Sequence, residues 1–272
     1  MTMSNEDFQY ICKIVKEKSG ISLSEDKGYL VESRLLPIVR KNDMTTISDI
    51  VAKLRTSNNP DLLKDIVEAM TTNETSFFRD VKPFDILKDT VIPRIIEHNT
   101  TKDVSIWSAA CSTGQEAYSV AITLEEDNLR MGTYNKSILG TDIDTTILKK
   151  AEEAVYSQFE VQRGLPIMLL MKYFVQQESY GEKWELKDDI KKYVKFRYLN
   201  LLDSFPLDKH DIIYCRNVLI YFEADIKSQI LNKLADCLKP HGVLFLGSSE
   251  TITGLTDKLV QHEGINGLFS LK

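Results

Sequence analysis

The stretch VSIWSAACSTGQEAYSVA, residues 104–121, reads as a strand, a tight loop and a helix. Val104, Ile106 and Trp107 are strand formers in a short apolar run, the pattern of a buried central strand. Ala109, Ala110, Cys111 and Ser112 are all small and let a ligand approach the backbone closely. Ser112 or Thr113 is placed to cap the following helix, whose apolar positions Ala117, Val120, Ala121 and Leu124 recur at helical spacing. A helix N-terminus just after a strand suits a polar or anionic ligand, and Glu116 in the first helical turn faces that crevice. A buried strand-turn-helix with a capping acid has the same signature, so the decision falls to the rest of the chain.

Working downstream, strands and helices alternate, which implies a mostly parallel sheet with helices on both faces. The pattern predicts strands at 104–108, 137–141, 194–198, 211–215, 243–247 and 268–271, with helices at 115–128, 145–154 and 225–238. The last helix is expected to stop at Lys239-Pro240-His241-Gly242. The final strand follows a turn-rich stretch rather than a helix and is expected to run antiparallel to its neighbours. Residues 156–193 interrupt the alternation with aromatics, a short helical run and a hairpin signal at Ser179-Tyr180-Gly181. They read as an inserted subdomain projecting from the sheet.

Working upstream, residues 1–70 read as an N-terminal helical domain able to bury its own core. Phe8, Ile11, Cys12 and Val15 keep helical spacing up to Ser19-Gly20, and Ser24 or Asp26 opens a second helix that Pro37 should kink or divide. Third and fourth helices follow Thr45 or Thr46 and Asn58-Asn59-Pro60. Lys27, Arg34 and Lys41, seven apart, share one helical face joined by Arg40 and opposed by Glu32. The row is either a solvated face or a docking surface for an acidic partner. Next comes a non-helical polar stretch, TTNETSFFRD, residues 71–80, in which Phe77 and Phe78 are suited to dock on the core; it opens a linker, 71–90, expected to contribute to the cofactor site. A helix ending near Pro93 leads into the remainder, 91–272.

Composition narrows the function classes. A net charge of -6 argues against broad nucleic-acid binding. No apolar run approaches the roughly 20 residues of a membrane span, and MTMSNEDFQY carries no signal-peptide pattern. Cys12, Cys111, Cys215 and Cys237 are scattered without a CxxC, which implies buried free thiols in a reducing cytoplasm and no metal site. His98, His210, His241 and His262 fall singly and read as surface residues.

Three further strand ends carry polar groups. Asp142, in GTDID, stands where doubly wound folds bind ribose hydroxyls, while Asp144 is the better cap for the next helix. Asn200 and Asp203 of NLLD are placed to read an adenine edge with Leu201 or Leu202 on its face. Arg216 and Asn217 end the fourth strand, with Tyr221 four residues beyond Asn217. The first loop has only Gly114 and no GxGxxG, which disfavours a dinucleotide and favours a nucleoside without phosphates such as S-adenosylmethionine.

These blocks, TTNETSFFRD, WSAACSTGQEAYSVA, GTDIDTTIL, YLNLLD, DIIYCRNVLIYF and GVLFLGSSET, occur in the order seen in the CheR family of chemotaxis receptor methyltransferases, which the chain resembles along nearly its whole length. The resemblance implies an α/β, Rossmann-like S-adenosylmethionine methyltransferase domain with a mostly parallel sheet, a small inserted antiparallel β subdomain and an N-terminal helical domain. It implies transfer of a methyl group to receptor glutamates, in the cytoplasm, by a monomer that uses no metal. Cofactor contacts are implied for Asn73, Thr75, Arg79, Glu116, Asp142, Asn200, Leu201, Arg216 and Asn217, with Arg79 and Tyr221 nearest the transferred methyl. Lys27, Arg34, Arg40 and Lys41 gain weight as a surface for the acidic methylation region of receptor helices. One departure concerns the β subdomain, where some members bind a receptor C-terminal peptide through a glycine-containing loop. Here the loop from Val175 to Trp184 has only Gly181 and no GxG, which argues against peptide tethering. Rival readings are a carboxyl methyltransferase for another protein or small acid, a non-catalytic cofactor-binding regulator and, least favoured, an NAD enzyme.

Overall fold

The computed structural model describes residues 3–177, 182–205 and 208–272. Helices α1 (Asn5–Ser19), α2 (Gly28–Lys41), α3 (Ile47–Thr56) and α4 (Pro60–Met70) come first. Their ends are set chemically. Ser4 accepts the Asp7 N–H, Gly20 closes α1 at φ 77°, Thr46 and Asp49 form a reciprocal capping box, and Asn59 caps α4. Phe8, Ile11, Leu35, Ile50 and Ile66 bury together as the core of these helices. Pro37 does not divide α2, contrary to expectation. Both Pro37 and Ser33 are exposed, so the carbonyl left without an N–H partner is reached by water.

After the linker, α5 (Lys82–Ile86), a π turn (Leu87–Val91) and α6 (Ile92–His98) follow without a break. The helix therefore passes Pro93 rather than ending there. The wider π turn just before Pro93 accommodates a residue that has no N–H to give. Then come β1 (Asp103–Ala109), α7 (Gln115–Glu126), α8 (Asn128–Met131), β2 (Asn135–Asp142) and α9 (Thr145–Glu153). The insertion contains β3 (Val155–Ser157), α10 (Gln158–Gln162), α11 (Ile167–Tyr173), β4 (Phe174–Gln176), β5 (Lys183–Leu186) and α12 (Asp188–Lys191). Its strands form a separate antiparallel sheet, β3-β5-β4. The expected hairpin tip at Ser179-Tyr180-Gly181, and with it Gly181 of the tethering loop, lies outside the described residues.

The main sheet adds β6 (Val194–Tyr198), β7 (His210–Cys215), β8 (Leu238–Leu246), β9 (Leu259–Gln261) and β10 (Leu268–Leu271), with α13 (Ala224–Asp236) between β7 and β8. Its order is β6-β2-β1-β7-β8-β10-β9, Rossmann-like. The first five strands are parallel, and β10 runs antiparallel to β8 and β9, as expected. Chain order reverses between β1 and β7, which opens a crevice at their carboxyl ends. One face packs Ile106, Ile212 and Phe245 against Val120 of α7, and the other packs Trp107, Ile213 and Leu244 against Ile230 and Leu234 of α13. No helix among the described residues is long and apolar enough to cross a membrane.

Three expectations are corrected. Helix α13 stops at Asp236, and Leu238 already belongs to β8 opposite His210; the register then skips to Ile212 opposite Val243. The Lys239-Pro240-His241-Gly242 segment is therefore a bulge within β8, where a proline without an N–H costs no ladder bond. The edge strand β9 was hidden in the turn-rich stretch because it is only three residues long. His210 is buried, not at the surface, with Nδ1 2.8 Å from the Ser105 hydroxyl. Burial pushes its pKa down to about 4 against the opposing charge of Asp211. The unfolded chain then takes up this proton first, near the ordinary pKa of about 6.5. Stability is full above that pH and falls as pH drops towards 4, by about 2 kcal/mol between pH 7 and 5. Urea titrations should show this slope in the parent and a flatter one in His210→Gln.

Candidate active site

The loop after β1 is tight without being glycine-rich. Ala110 (φ 58°), Ser112 (φ 51°) and Gly114 (φ 87°) all lie in the left-handed region. Gly114 occupies the N-cap of α7, and no side chain caps it, contrary to the expectation for Ser112 or Thr113. Those hydroxyls are spent elsewhere: Ser112 donates to the Asn73 carbonyl at 2.8 Å and Thr113 to Gln115 Oε1 at 2.6 Å. Asp142, at the end of β2, accepts the Ser112 N–H at 2.9 Å and the Asp144 N–H at 3.0 Å. Burial pushes its carboxyl up, opposed by those two N–H groups. Asp144 caps α9 through the Thr146 and Ile147 N–H groups and takes Asn73 Nδ2 at 2.9 Å. Cys111 lines the cleft, but burial raises its thiol pKa well above the usual range, so it is a wall and not a nucleophile.

Beyond β7, Arg216 is 1% exposed at its side chain. Its Nη1 donates to Glu116 Oε2 at 3.0 Å, and its Nη2 to Asp80 Oδ2 at 2.7 Å and the Arg79 carbonyl at 3.0 Å. Glu116 is held in turn by the Ser108 hydroxyl at 2.8 Å. Asn217 (φ 59°) begins a turn built around one buried carboxylate. Glu250 accepts the N–H groups of Asn217 and Gly247 on Oε2 and of Val218 and Leu219 on Oε1. A short 3-10 helix, Leu219–Tyr221, then carries Tyr221 to the cleft.

The linker closes the opposite side. Phe77 is fully buried, edge-on to Tyr156 and Phe174, and Phe78 meets Phe84, so the aromatic pair does dock on the core. The Phe77 carbonyl lies where any β-carbon on Gly164 would stand, 2.1 Å away. With Phe77 locked, Asn73, Glu74, Thr75 and Arg79 are delivered to the cleft. Arg79 Nη1 donates to the Glu74 carbonyl at 2.9 Å. Unlike Arg216, Arg79 forms no ion pair among the described residues.

The loop after β6 contributes Asn200 and Leu201. Asn200 Nδ2 donates to the Lys18 carbonyl at 2.7 Å, and its Oδ1 accepts the Leu202 N–H at 3.0 Å. Its amide thus ties the cleft to the end of α1, whose neighbours Ser19 and Ile21 also line it. The Ser22 N–H reaches the Tyr221 carbonyl, and Lys16 pairs with Glu223 at 2.7 Å. The basic row lies apart from the cleft. Lys27 and Arg40 are exposed, while Lys41 pairs with Asp65 at 2.7 Å. Arg34 donates to the Ala69 and Thr71 carbonyls and so braces the linker where it leaves α4.

Asn73, Thr75, Arg79, Glu116, Asp142, Asn200, Leu201, Arg216, Asn217 and Tyr221 thus line one cleft of about 900 Å³ including its mouth. Its donor set suits S-adenosylmethionine. Three carboxylates, Glu74 (paired with Arg163), Glu116 (paired with Arg216) and Asp142, line the cleft and suit a ligand with a sulfonium, an ammonium and ribose hydroxyls, and the left-handed loop gives close approach without a phosphate cradle. No cluster of three metal-ligating side chains occurs among the described residues. Sequence reasoning missed Asp80 and Glu250, although both sit inside the quoted blocks TTNETSFFRD and GVLFLGSSET.

Comparison with known proteins agrees with this geometry. Residues 73–266 match the CheR methyltransferase SAM binding domain, and residues 6–71 match the CheR methyltransferase all-alpha domain. Chemotaxis protein methyltransferase 1 of Vibrio cholerae is 42% identical over 262 residues, covering 95% of this chain and 94% of that protein. Chemotaxis protein methyltransferase Cher2 of Pseudomonas putida is 40% identical, covering 94% of each. The chemotaxis protein methyltransferase of Vibrio parahaemolyticus is also 40% identical, over 95% of this chain and 94% of its own. With both domains matched and relatives aligned almost end to end, the chain belongs to the CheR methyltransferase family, and its cofactor is S-adenosylmethionine.

Proposed function

We propose that the protein methylates glutamate side-chain carboxylates in the cytoplasmic helices of chemoreceptors, forming glutamate methyl esters. The observation that carries this reading is the contrast between the two cleft arginines. Arg216 is paired with Glu116 and Asp80, whereas Arg79 makes no ion pair among the described residues and feels only the more distant Glu74 carboxylate, itself paired with Arg163. An incoming carboxylate therefore finds one guanidinium to pair with, in the cleft that Tyr221 also lines.

S-adenosylmethionine supplies a methyl group made electrophilic by the sulfonium, with a neutral thioether as leaving group. In this reading Asp142 accepts ribose hydroxyls, and Glu116 and Glu74 face the cationic end; all three line the cleft. A glutamate with an ordinary pKa of about 4.3 is already ionised at neutral pH, so no general base is needed. The task left to the protein is alignment and exclusion of water. Arg79 orients the carboxylate, Tyr221 donates a hydrogen bond to its second oxygen, and the linker covers the site. Binding the carboxylate too tightly would stabilise the ground state, so the benefit of Arg79 lies in placement. Exposed Lys27 and Arg40, with Lys41 and Arg34 alongside, form the docking surface for acidic receptor helices in this proposal. The buried thiols of Cys111, Cys215 and Cys237 are compatible with a reducing cytoplasm, where a monomer would act.

The test is methyl transfer from labelled cofactor to purified receptor cytoplasmic fragments. The expected product is a labelled fragment that releases its label in mild base. Label that survives base, or no label above background, would overturn the glutamyl ester assignment.

A further inference from the structure

The turn that carries Arg79 is strained. Phe78 (φ 48°), Asp80 (φ 68°) and Val81 (φ 51°) all stand in the left-handed region, which disfavours residues with a β-carbon and β-branched valine most of all. Such a backbone persists only where its surroundings fix it. Two anchors are present. The Phe78 N–H donates to the Ser119 hydroxyl on α7 at 2.9 Å. On the far side, Arg216 Nη2 grips both the Asp80 carboxylate at 2.7 Å and the Arg79 carbonyl at 3.0 Å. Arg216 is itself set by Glu116, which the Ser108 hydroxyl of β1 holds. A chain of charge-assisted hydrogen bonds thus runs from the central strand to the backbone of Arg79.

We infer that Asp80 is a positioning residue for methyl transfer: with Arg216 it clamps the strained turn at 78–81 and thereby aims the Arg79 guanidinium. The inference rests on the reading above in which Arg79 orients the acceptor carboxylate. Asp80 also has an electrostatic role. It completes the neutralisation of Arg216, which leaves Arg79 as the cation an acceptor carboxylate meets. Asp80 is 44% exposed at its side chain and belongs to none of the buried cores, so its replacement is expected to act on the turn and to spare the cores.

The experiment is a double-mutant cycle on the full chain, with a receptor cytoplasmic fragment as acceptor and saturating S-adenosylmethionine. The variants are Asp80→Asn, Asp80→Glu, Arg79→Ala and the pair Arg79→Ala with Asp80→Asn. Expected is at least a tenfold loss of kcat in Asp80→Asn, with KM for the fragment and Kd for S-adenosylhomocysteine within threefold of the parent. Asp80→Glu should recover part of the loss. The double variant should be no slower than Arg79→Ala alone, because Asp80 has nothing left to aim. A multiplicative loss in the double variant, a silent Asp80→Asn, or loss of S-adenosylhomocysteine binding in Asp80→Asn would each overturn the inference while leaving the role of Arg79 standing. A silent Arg79→Ala would instead overturn the underlying reading, and the inference with it.

Discussion

Arg79→Ala is expected to lower kcat on receptor fragments by about 100-fold, the scale of a lost alignment at the reacting centre. Affinity for S-adenosylhomocysteine should change by less than about threefold, because Arg79 is one of nine predicted cofactor contacts and the other eight, Glu116 and Asp142 among them, remain. The asymmetry follows from the geometry. Among the described residues the Arg79 side chain hydrogen-bonds the Glu74 carbonyl, and the nearby Glu74 carboxylate is exposed and paired with Arg163, so removing Arg79 leaves no buried carboxylate unpaired. Arg79→Lys keeps the charge but loses the planar fork, and should recover only part of the rate. Stopped-time methylation assays paired with calorimetry separate the two quantities. Equal kcat for parent and Arg79→Ala would remove this residue from the reaction.

Glu250→Gln is expected to cost about 3 kcal/mol of stability and to impair turnover, although the side chains are nearly isosteric. Each oxygen of Glu250 accepts two backbone N–H groups, and the residue is 7% exposed. An amide keeps one acceptor and turns the other into a donor, so whichever way Gln lies, two N–H groups face an NH2 group. Leaving a buried donor unsatisfied costs about 1–3 kcal/mol. Two of the four donors, Val218 and Leu219, open the 3-10 helix that presents Tyr221, so the lost order reaches the cleft. Thermal or urea unfolding checks the stability, and kcat at a temperature where the variant is folded checks the coupling to Tyr221. A variant as stable as the parent would show that the turn holds without this carboxylate.

Much of the site was legible because its residues lie at the carboxyl ends of strands that periodicity locates. Val104, Ile106 and Trp107 mark β1 as buried, and the alternation that follows makes the sheet parallel. Once it is parallel, Asp142, Asn200, Arg216 and Asn217 must crowd one edge, and they do. Helix ends were legible where a local side chain sets them, as at Ser19-Gly20 and Thr46. They were misread where a distant strand decides, as at Lys239-Pro240-His241-Gly242, whose fate depends on pairing with His210.

By itself, then, the sequence determined the alternation, the central strand-loop-helix and the set of polar groups that face the cleft, because hydrophobic period and capping are properties of neighbouring residues. The tertiary structure alone decided what those groups do. Arg216 is a clasp because Asp80, 136 residues away, comes within 2.7 Å. Asn200 faces the helical domain because Lys18 offers a carbonyl 182 residues upstream. Arg34, equally basic in sequence to Lys27 and Arg40, braces the linker because α4 ends beside it. A side chain's chemistry is written in its own codon, but its hydrogen-bond partner is chosen by whichever part of the folded chain arrives next to it.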